Sequence, residues 1–532
     1  MVLPLDSIRV IALVAIFAST LFKTFQGIIR HRRAQAFAEA HGCEPAPKRR
    51  QKWYYFGADT LVESYRHKKQ FHYLELLQQN FTEYGLTYTS SVLGTSKLTT
   101  IDPANVEAIL KTQWSDFLAR PARKIPLDGL VGPGILTADG NLWSTHRKLM
   151  QPSFKRKSLE DFGLYDEHFE RLLQHFPTPG QVIDLQNLFF GFTLDTSTQH
   201  LFGCSSGTLA PSSVVSPEPA LAGAFDRSQR AAVEKFALGW ADRFRPQLQY
   251  WRDTSRVHRF ADRYVKLALQ RKRDNNDASL EKQESKGTSE GSASASLPRA
   301  RLNFLDELCE RTQNHDDIRK GALHMLVAGR DSTASLLSNL WFMLARDKRV
   351  WHKLKEEVDA LQGAQPGSEN LRDMTYLRFC INESLRCHPA IPWSLRAAGQ
   401  DTTLPSGGGS DQKSPIFVKA GTTVLIPLYC LHRRVEFWGA DADRFYPERW
   451  EDAKPGWSYI PFLAGPRMCL GYQFAINTAS YVTVRMIQEL ESISPAAEGP
   501  WKEELGLSMA SADGVHVRLA YRKDKASAVP HM

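Results

Sequence analysis

No two of the seven cysteines stand in a C-x-x-C pair. The odd, scattered set (Cys43, Cys204, Cys309, Cys380, Cys387, Cys430, Cys469) suggests neither a zinc ribbon nor a disulfide framework, and the folded part is expected in a reducing compartment. The sequons at Asn80 and Asn382 are accordingly read as unused. A Gly-rich nucleotide-binding motif is missing too, as is the length for a flavin domain beside a large core. There is no internal repeat. Basic residues outnumber acidic ones 67 to 58, for a net charge of +9, but they are spread along the chain, which argues against a nucleic-acid-binding module. With 532 residues, 42% of them hydrophobic and 23% charged, the chain is globular and long enough for a large core.

Long apolar runs are scarce. Val10 to Phe22 is too short to span a bilayer, but extended past Lys23 to Ile29 it reaches the length a membrane helix requires, with Lys23 snorkelling. Arg30-His31-Arg32-Arg33 follows, and the positive-inside rule holds that cluster in the cytosol. The alternatives are a cleaved signal peptide or a membrane-surface helix; no small-residue cleavage pattern is obvious. Lys48-Arg49-Arg50 would meet anionic lipid, and a basic face would suit an acidic electron donor.

Beyond the anchor, Pro45 to Pro47 reads as a stiff hinge. Leu86 to Val92 and Lys97 to Ile101 alternate around Gly94-Thr95-Ser96 and predict a hairpin. From Asn105 to Arg346 the pattern is mostly helical, and the longest helix is expected from Asp316 to Arg346. Arg271 to Ala300 is almost free of apolar residues and predicts a disordered surface insertion. Pro405 to Ser410 reads as a loop and Thr423 to Ile426 as a strand. Leu507 to Met509 and Val515 to Leu519 are expected to form a hairpin across Asp513-Gly514.

The most informative segment is Pro461-Phe462-Leu463-Ala464-Gly465-Pro466-Arg467-Met468-Cys469-Leu470-Gly471. A single cysteine in a glycine-bounded loop, flanked by an aromatic residue and an arginine, reads as the thiolate loop of a haem enzyme. Gly465 and Gly471 would permit a sharp turn and close backbone approach, Arg467 would pair with a haem propionate, and Phe462 would cover the thiolate. The alternative is a buried structural thiol. The spacing Phe-x-x-Gly-x-Arg-x-Cys-x-Gly resembles the signature of the cytochrome P450 superfamily, and by composition it would arise by chance in about one chain in ten thousand of this length.

Other segments match the same superfamily. Within the long helix, Ala328-Gly329-Arg330-Asp331-Ser332-Thr333 breaks the apolar periodicity, and its glycine costs about 1 kcal/mol relative to alanine. The resemblance implies a segment crossing the oxygen side of the haem, locally widened to admit dioxygen and water. Asp331 and Ser332 match the acid and alcohol that deliver protons there, with Thr333 following. The alcohol is usually threonine, so Ser332 is a departure, with a less restricted hydroxyl. Glu383 and Arg386, three apart on a helix, join Arg449 of Phe445-Tyr446-Pro447-Glu448-Arg449-Trp450 as the family's structural Glu-Arg-Arg cluster. Trp143 and Arg147, in Trp-x-x-x-Arg spacing, and Arg396 match residues that hold haem propionates.

The resemblance implies a mainly α fold with small β-sheets (α+β), the cytochrome P450 fold. Its expected parts are an anchor and basic flank over 1–33, a linker over 34–60, one large haem domain over 61–522 and a tail over 523–532. Motifs including Ala328-Gly329-Arg330-Asp331, Phe225-Asp226-Arg227 and His432-Arg433-Arg434 are similar to the fungal n-alkane and fatty-acid hydroxylase family. That implies a haem b monooxygenase on the endoplasmic-reticulum membrane, its catalytic domain cytosolic, fed from NADPH by a separate FAD/FMN-containing NADPH–cytochrome P450 reductase. Its substrate would be an apolar small molecule, a fatty acid or alkane hydroxylated at or near its terminal carbon. Oxidation of a polyketide or terpenoid intermediate is the alternative, and a reductase-independent isomerase or dehydratase a further one, disfavoured by the proton-delivering pair. Leu326, Ile391, Trp393 and Met509 are expected in the substrate pocket, and Arg120 or Arg123 facing a substrate carboxylate. Ala328 stands where some animal relatives carry a haem-linked glutamate, so no ester link is expected.

Overall fold

The computed structural model describes residues 5–52, 57–154, 162–210, 221–285 and 303–522. Its centre is the helix His315–Leu344, started by Asn314, whose side chain accepts hydrogen bonds from the Asp316 and Asp317 amides. Acidic residues in that first turn complement the helix dipole. The helix is apolar on nearly every side, from Ile318 through Leu326 to Leu340, and so it is buried rather than amphipathic. It packs closely along Leu185–Phe202, and the roof helix Leu221–Leu238 and the helix Tyr472–Glu489 complete the helical body.

A five-stranded sheet lies to one side, ordered Thr87–Val92, Thr95–Thr100, Thr423–Pro427, Trp393–Ala398, Phe117–Leu118. The expected hairpin is present, with Thr87 paired to Thr100 and Val92 to Thr95. Its two-residue turn, Leu93-Gly94, has both φ angles positive, the turn whose twist suits a right-handed hairpin.

Several expectations are corrected. The helix Leu248–Ser285, at 38 residues, is longer than the central one and runs into the segment expected to be disordered; Arg271 is held there by Asp306. The rest of that segment, from 286, and the tail from 523 lie outside the described residues. Residues 44–49 are no free hinge but a strap on the sheets, with Glu44 N–H bonded to the Pro415 carbonyl, Arg49 N–H to Thr89 and Thr89 N–H back to Pro47. Pro405 to Gly408 belongs to the strand Thr402–Gly408. Asp513-Gly514 joins two sheets rather than closing a hairpin: Met509–Ser511 pairs with Glu503–Leu505, and His516–Tyr521 with Leu490–Pro495.

The N-terminal helix Leu5–Ala40 continues unbroken through Lys23 and the basic cluster. Its stretch from Leu13 is long and apolar enough to cross a membrane, and Leu13, Phe17, Phe22 and Phe25 find no cover within the protein. This fits a membrane anchor.

Candidate functional site

A cavity of about 1420 Å³ is lined by residues of the helix Ala58–Lys69, the first hairpin and the cysteine loop. Cys469 is exposed, but its exposed face looks into this cavity, and burial raises its thiol pKa against the opposing pull of the Gly471 amide and Arg147. The loop is fixed by backbone bonds: Cys469 N–H to the Phe462 carbonyl at 2.9 Å and Met468 N–H to that of Gly465 at 3.0 Å. Gly465 adopts φ +69°, and a Cβ there would meet the Leu110 carbonyl oxygen at 2.0 Å. Gly471 differs from expectation. Its φ is −94° and a Cβ would meet only ordinary contacts, so its part is to cap the helix Tyr472–Glu489 and turn its amide toward the sulfur.

Trp143 and Arg147 share a face of the helix Gly140–Met150, and Arg147 donates to the Met468 carbonyl at 3.1 Å, tying that helix to the cysteine loop. The Arg467 guanidinium lies 4.5 Å from the Trp143 ring and donates to the Ala138 carbonyl and to Asp139. Arg396 is almost completely buried and, among the described residues, donates only to Ser394 Oγ and the Leu395 carbonyl. Burial, then Arg123 and Arg467, depress its pKa strongly. Arg123 is likewise pushed down to about 10 by burial and by Arg467. Three guanidinium groups thus crowd one another with Asp139 as the carboxylate acting among them. A buried surplus of cations calls for anionic partners, and the two propionates of a haem supply them, with Cys469 as the soft ligand. The residues fit the group. Arg123, expected facing substrate, joins this set instead; nothing in the spacing of Arg120-Pro121-Ala122-Arg123 distinguished its two arginines. Arg120 pairs with Asp128 at 3.0 Å.

On the opposite wall, Asp331, Ser332 and Thr333 all line the cavity. The central helix is regular α-helix here, so the expected local widening is absent. Space comes instead from Gly329, where a Cβ would find no neighbour nearer than Ser197 Oγ at 3.9 Å. Ser332 Oγ donates to the Ala328 carbonyl at 2.7 Å. Burial pushes the Asp331 carboxyl up to about 6, opposed by Arg330. Ile391 and Trp393 line the cavity as well, whereas Leu326 and Met509 do not. Both are fully buried in the core: Leu326 faces the helices behind the central one, and Met509 is held by its backbone, its N–H bonded to Ala390 and its carbonyl accepting from Ser335 and Asn339.

Glu383, Arg386 and Arg449 come together away from the cavity. Arg386 makes a fork to Glu383 (2.8 and 2.9 Å) and donates to the carbonyls of Ala442, His432 and Arg444. Arg449 Nε, the Tyr446 amide and Trp450 Nε1 complete the ring of donors on Glu383, at 2.8, 2.9 and 3.0 Å. The cluster joins the helix Thr375–Cys387 to the segment leading to the cysteine loop.

A family model for cytochrome P450 matches residues 47–514. The chain is 36% identical to cytochrome P450 monooxygenase fsdH of Fusarium heterosporum, over 91% of this chain and 84% of that protein. It is 37% identical to cytochrome P450 monooxygenase himC of Aspergillus japonicus, over 90% of this chain and 84% of that protein. It is also 37% identical to cytochrome P450 52A4 of Candida maltosa, over 80% of each. In three dimensions it shares its fold with a crystal structure of the cytochrome P450DA heme domain, with TM-score 0.72, 19% identity, and coverage of 90% of this chain and 98% of that one.

Proposed function

The chain belongs to the cytochrome P450 family, and from that premise we propose that it hydroxylates the terminal or near-terminal carbon of a long-chain fatty acid or similar aliphatic substrate. It is a haem-thiolate monooxygenase. Haem, when bound, activates dioxygen so that one oxygen atom enters a C–H bond and the other leaves as water. Cys469 would hold the iron, and Trp143, Arg147, Arg396, Arg467 and Arg123 would hold the propionates. Asp331, with a proton affinity near neutral, and the hydroxyls of Ser332 and Thr333 hold and pass protons at the cavity wall. Ser332 must first release the Ala328 carbonyl to turn its hydroxyl into the cavity.

The single observation that carries the substrate reading is the cavity's course. Its lining extends from Leu61, Val62 and Lys97 to Cys469 and is mostly apolar, so an extended chain with its head near Lys97 would present its other end to the iron. Lys97 makes no ion pair among the described residues, and burial together with Arg49 depresses its ammonium to about 8, which suits it to a carboxylate at the far end. A second reading, oxidation of a polyketide or terpenoid intermediate, is supported by a volume that admits a branched or cyclic substrate.

Electrons would come from a separate FAD/FMN reductase, and the anchor helix would hold the enzyme on the endoplasmic-reticulum membrane with its catalytic domain in the cytosol. The test is reconstitution in lipid with NADPH–cytochrome P450 reductase and saturated C12 to C18 acids and alkanes, with products identified by mass spectrometry. Terminal or near-terminal alcohols dependent on NADPH are expected. Absence of turnover on every linear chain, with an intact 450 nm carbon-monoxide band, would overturn the aliphatic reading in favour of the second.

A further inference from the structure

Arg330 stands between two carboxylates from different helices. Its Nη1 donates to Asp226 Oδ1 on the roof helix and lies 3.1 Å from Asp331 Oδ1, its own neighbour on the central helix. The guanidinium is buried, 5.6 Å from the ring centroids of both Phe190 and Phe225. These rings restrict where it can turn. The two contacts are unequal: the Asp226 contact is a hydrogen bond, whereas Arg330 meets Asp331 Oδ1 as an ion pair, and among the described residues that oxygen has no partner of full hydrogen-bond geometry. Asp331 faces the cavity; Asp226 is about one-third exposed, at the outer end of the trio.

We propose that Asp226 is a positioning residue for proton delivery: by claiming the Arg330 hydrogen bond, it keeps that cation from fully neutralising Asp331, the carboxylate of the trio that faces the cavity. One cation between two carboxylates leaves the trio an excess negative charge when both are ionised, and the more buried carboxyl is the one on which a proton relieves more desolvation. The direction of the Asp331 shift agrees, with burial raising it, Asp226 adding to the rise, and Arg330 and the Gln229 side chain opposing. Of the other titratable groups on the adjoining helices, His200, Glu234 and Lys235 line the same cavity, Glu234 paired with Arg245 and Lys235 with Asp242 at 3.1 Å. Arg227 forks onto Asp253 at 2.9 and 2.8 Å, Asp195 accepts from Ser206, Thr208 and Leu209, and His200 stacks near Phe474 at 5.4 Å. The inference builds on Asp331 as the proton-delivering acid only for its catalytic consequence; its geometry stands apart from that.

The experiment is an infrared titration of the haem-loaded full chain, with the Asp331 carboxyl band identified by its loss in Asp331→Asn. The wild-type band should titrate near pH 6. Asp226→Asn should lower the midpoint by about one pH unit, a tenfold loss of proton affinity, and shift the pH profile of product formed per NADPH in the same direction. Asp226→Glu should restore both. Arg330→Gln, which removes the cation, should move the midpoint the opposite way and provides the test if Asp226→Asn loses its 450 nm band. A midpoint unmoved in the variant that folds, or moved in the same direction by both, overturns the proposal. A moved midpoint with an unmoved product profile would leave the Asp226 assignment standing and remove the role of Asp331 in proton delivery.

Discussion

The two oxygens of Glu383 meet Nε and Nη2 of Arg386 at 2.8 and 2.9 Å in a pair with no exposure to solvent. This fork brings the helix Thr375–Cys387 together with the Ala442, Arg444 and His432 carbonyls, so one side chain holds several turns of otherwise irregular backbone. Breaking a buried pair by removing one partner costs about 3–5 kcal/mol, because the remaining charge stays buried. Arg386→Ala should therefore lose haem and much of its thermal stability. Arg386→Lys, which keeps the charge but not the fork, should be only partly protected. Haem content and unfolding temperature are the measurements; a normal 450 nm band in Arg386→Ala would contradict the structural role.

At Gly465 the backbone, not a charge, sets the constraint. The left-handed conformation alone costs a non-glycine residue about 1–2 kcal/mol, and the approach of Leu110 O to 2.0 Å from a Cβ forces the chain to move. Gly465→Ala should displace the loop carrying Cys469 and lose the red-shifted carbon-monoxide band of the thiolate-bound haem. Gly471→Ala, which meets no such contact in the protein, should be milder in folding, and unfolding measured on both apoproteins separates the two.

The cysteine loop was legible because its residues are close in the chain, the first hairpin because of its alternation around a glycine turn, and the Glu-Arg-Arg cluster, whose Arg449 lies 66 positions from Glu383, only through the family resemblance. The turn itself is Leu93-Gly94, one residue before the expected Gly94-Thr95-Ser96, because Thr95 and Ser96 pair within the second strand. What stayed illegible depends on direction and distance. Leu326 and Ala328 are two residues apart on one helix, yet only Ala328 reaches the cavity, and a helix apolar on all sides gives no clue to which side is which. Met509, placed in the pocket by resemblance, is buried in the core while its neighbour Ser508 lines the cavity, a direction the sequence does not give. Arg330 with Asp226 is separated by 104 positions, so only the fold brings them together. The polar segment after Arg271 continues as helix through contacts with Asp306 and Cys309 that composition does not report.

Asp331 offers a trade between stability and function. Its folded pKa, about 6, lies above the usual 3.8, so the ionised form is the disfavoured one inside the protein. Stability is thus greatest below pH 3.8 as far as this group is concerned and declines as pH rises toward 6, after which the deficit is constant. At about 1.4 kcal/mol for each tenfold in proton affinity, the deficit at neutral pH is on the order of 3 kcal/mol. Asp331→Asn should accordingly unfold at higher temperature than the wild type at pH 7.5, with a smaller difference at pH 5, while forming less product for each NADPH consumed. Denaturation at the two pH values checks the sign, and a variant equally stable or weaker at both would contradict it.

Lys97 links the cavity to the kind of molecule that fills it. With its ammonium held to about 8 by burial and by Arg49, the side chain is charged at neutral pH and loses its proton just above it. A bound carboxylate would favour the charged form, so uptake of an acid should raise the Lys97 pKa, and binding should weaken as pH climbs through the range above 8. A charge-assisted hydrogen bond is worth about 1.5–3 kcal/mol, or roughly tenfold to a hundredfold in affinity. Lys97→Met keeps the length and the apolar stem while removing the charge, and a methionine there adds no cost of burying an ammonium. For a long-chain acid, this variant should raise KM at least tenfold at pH 7 and flatten its dependence on pH, with kcat much less affected. For the alkane of the same length, KM should stay the same or fall, because no carboxylate is there to lose. Equal changes for acid and alkane would mean that Lys97 shapes the cavity wall without meeting a carboxylate, and the acid would then have to seat its head group elsewhere along the cavity.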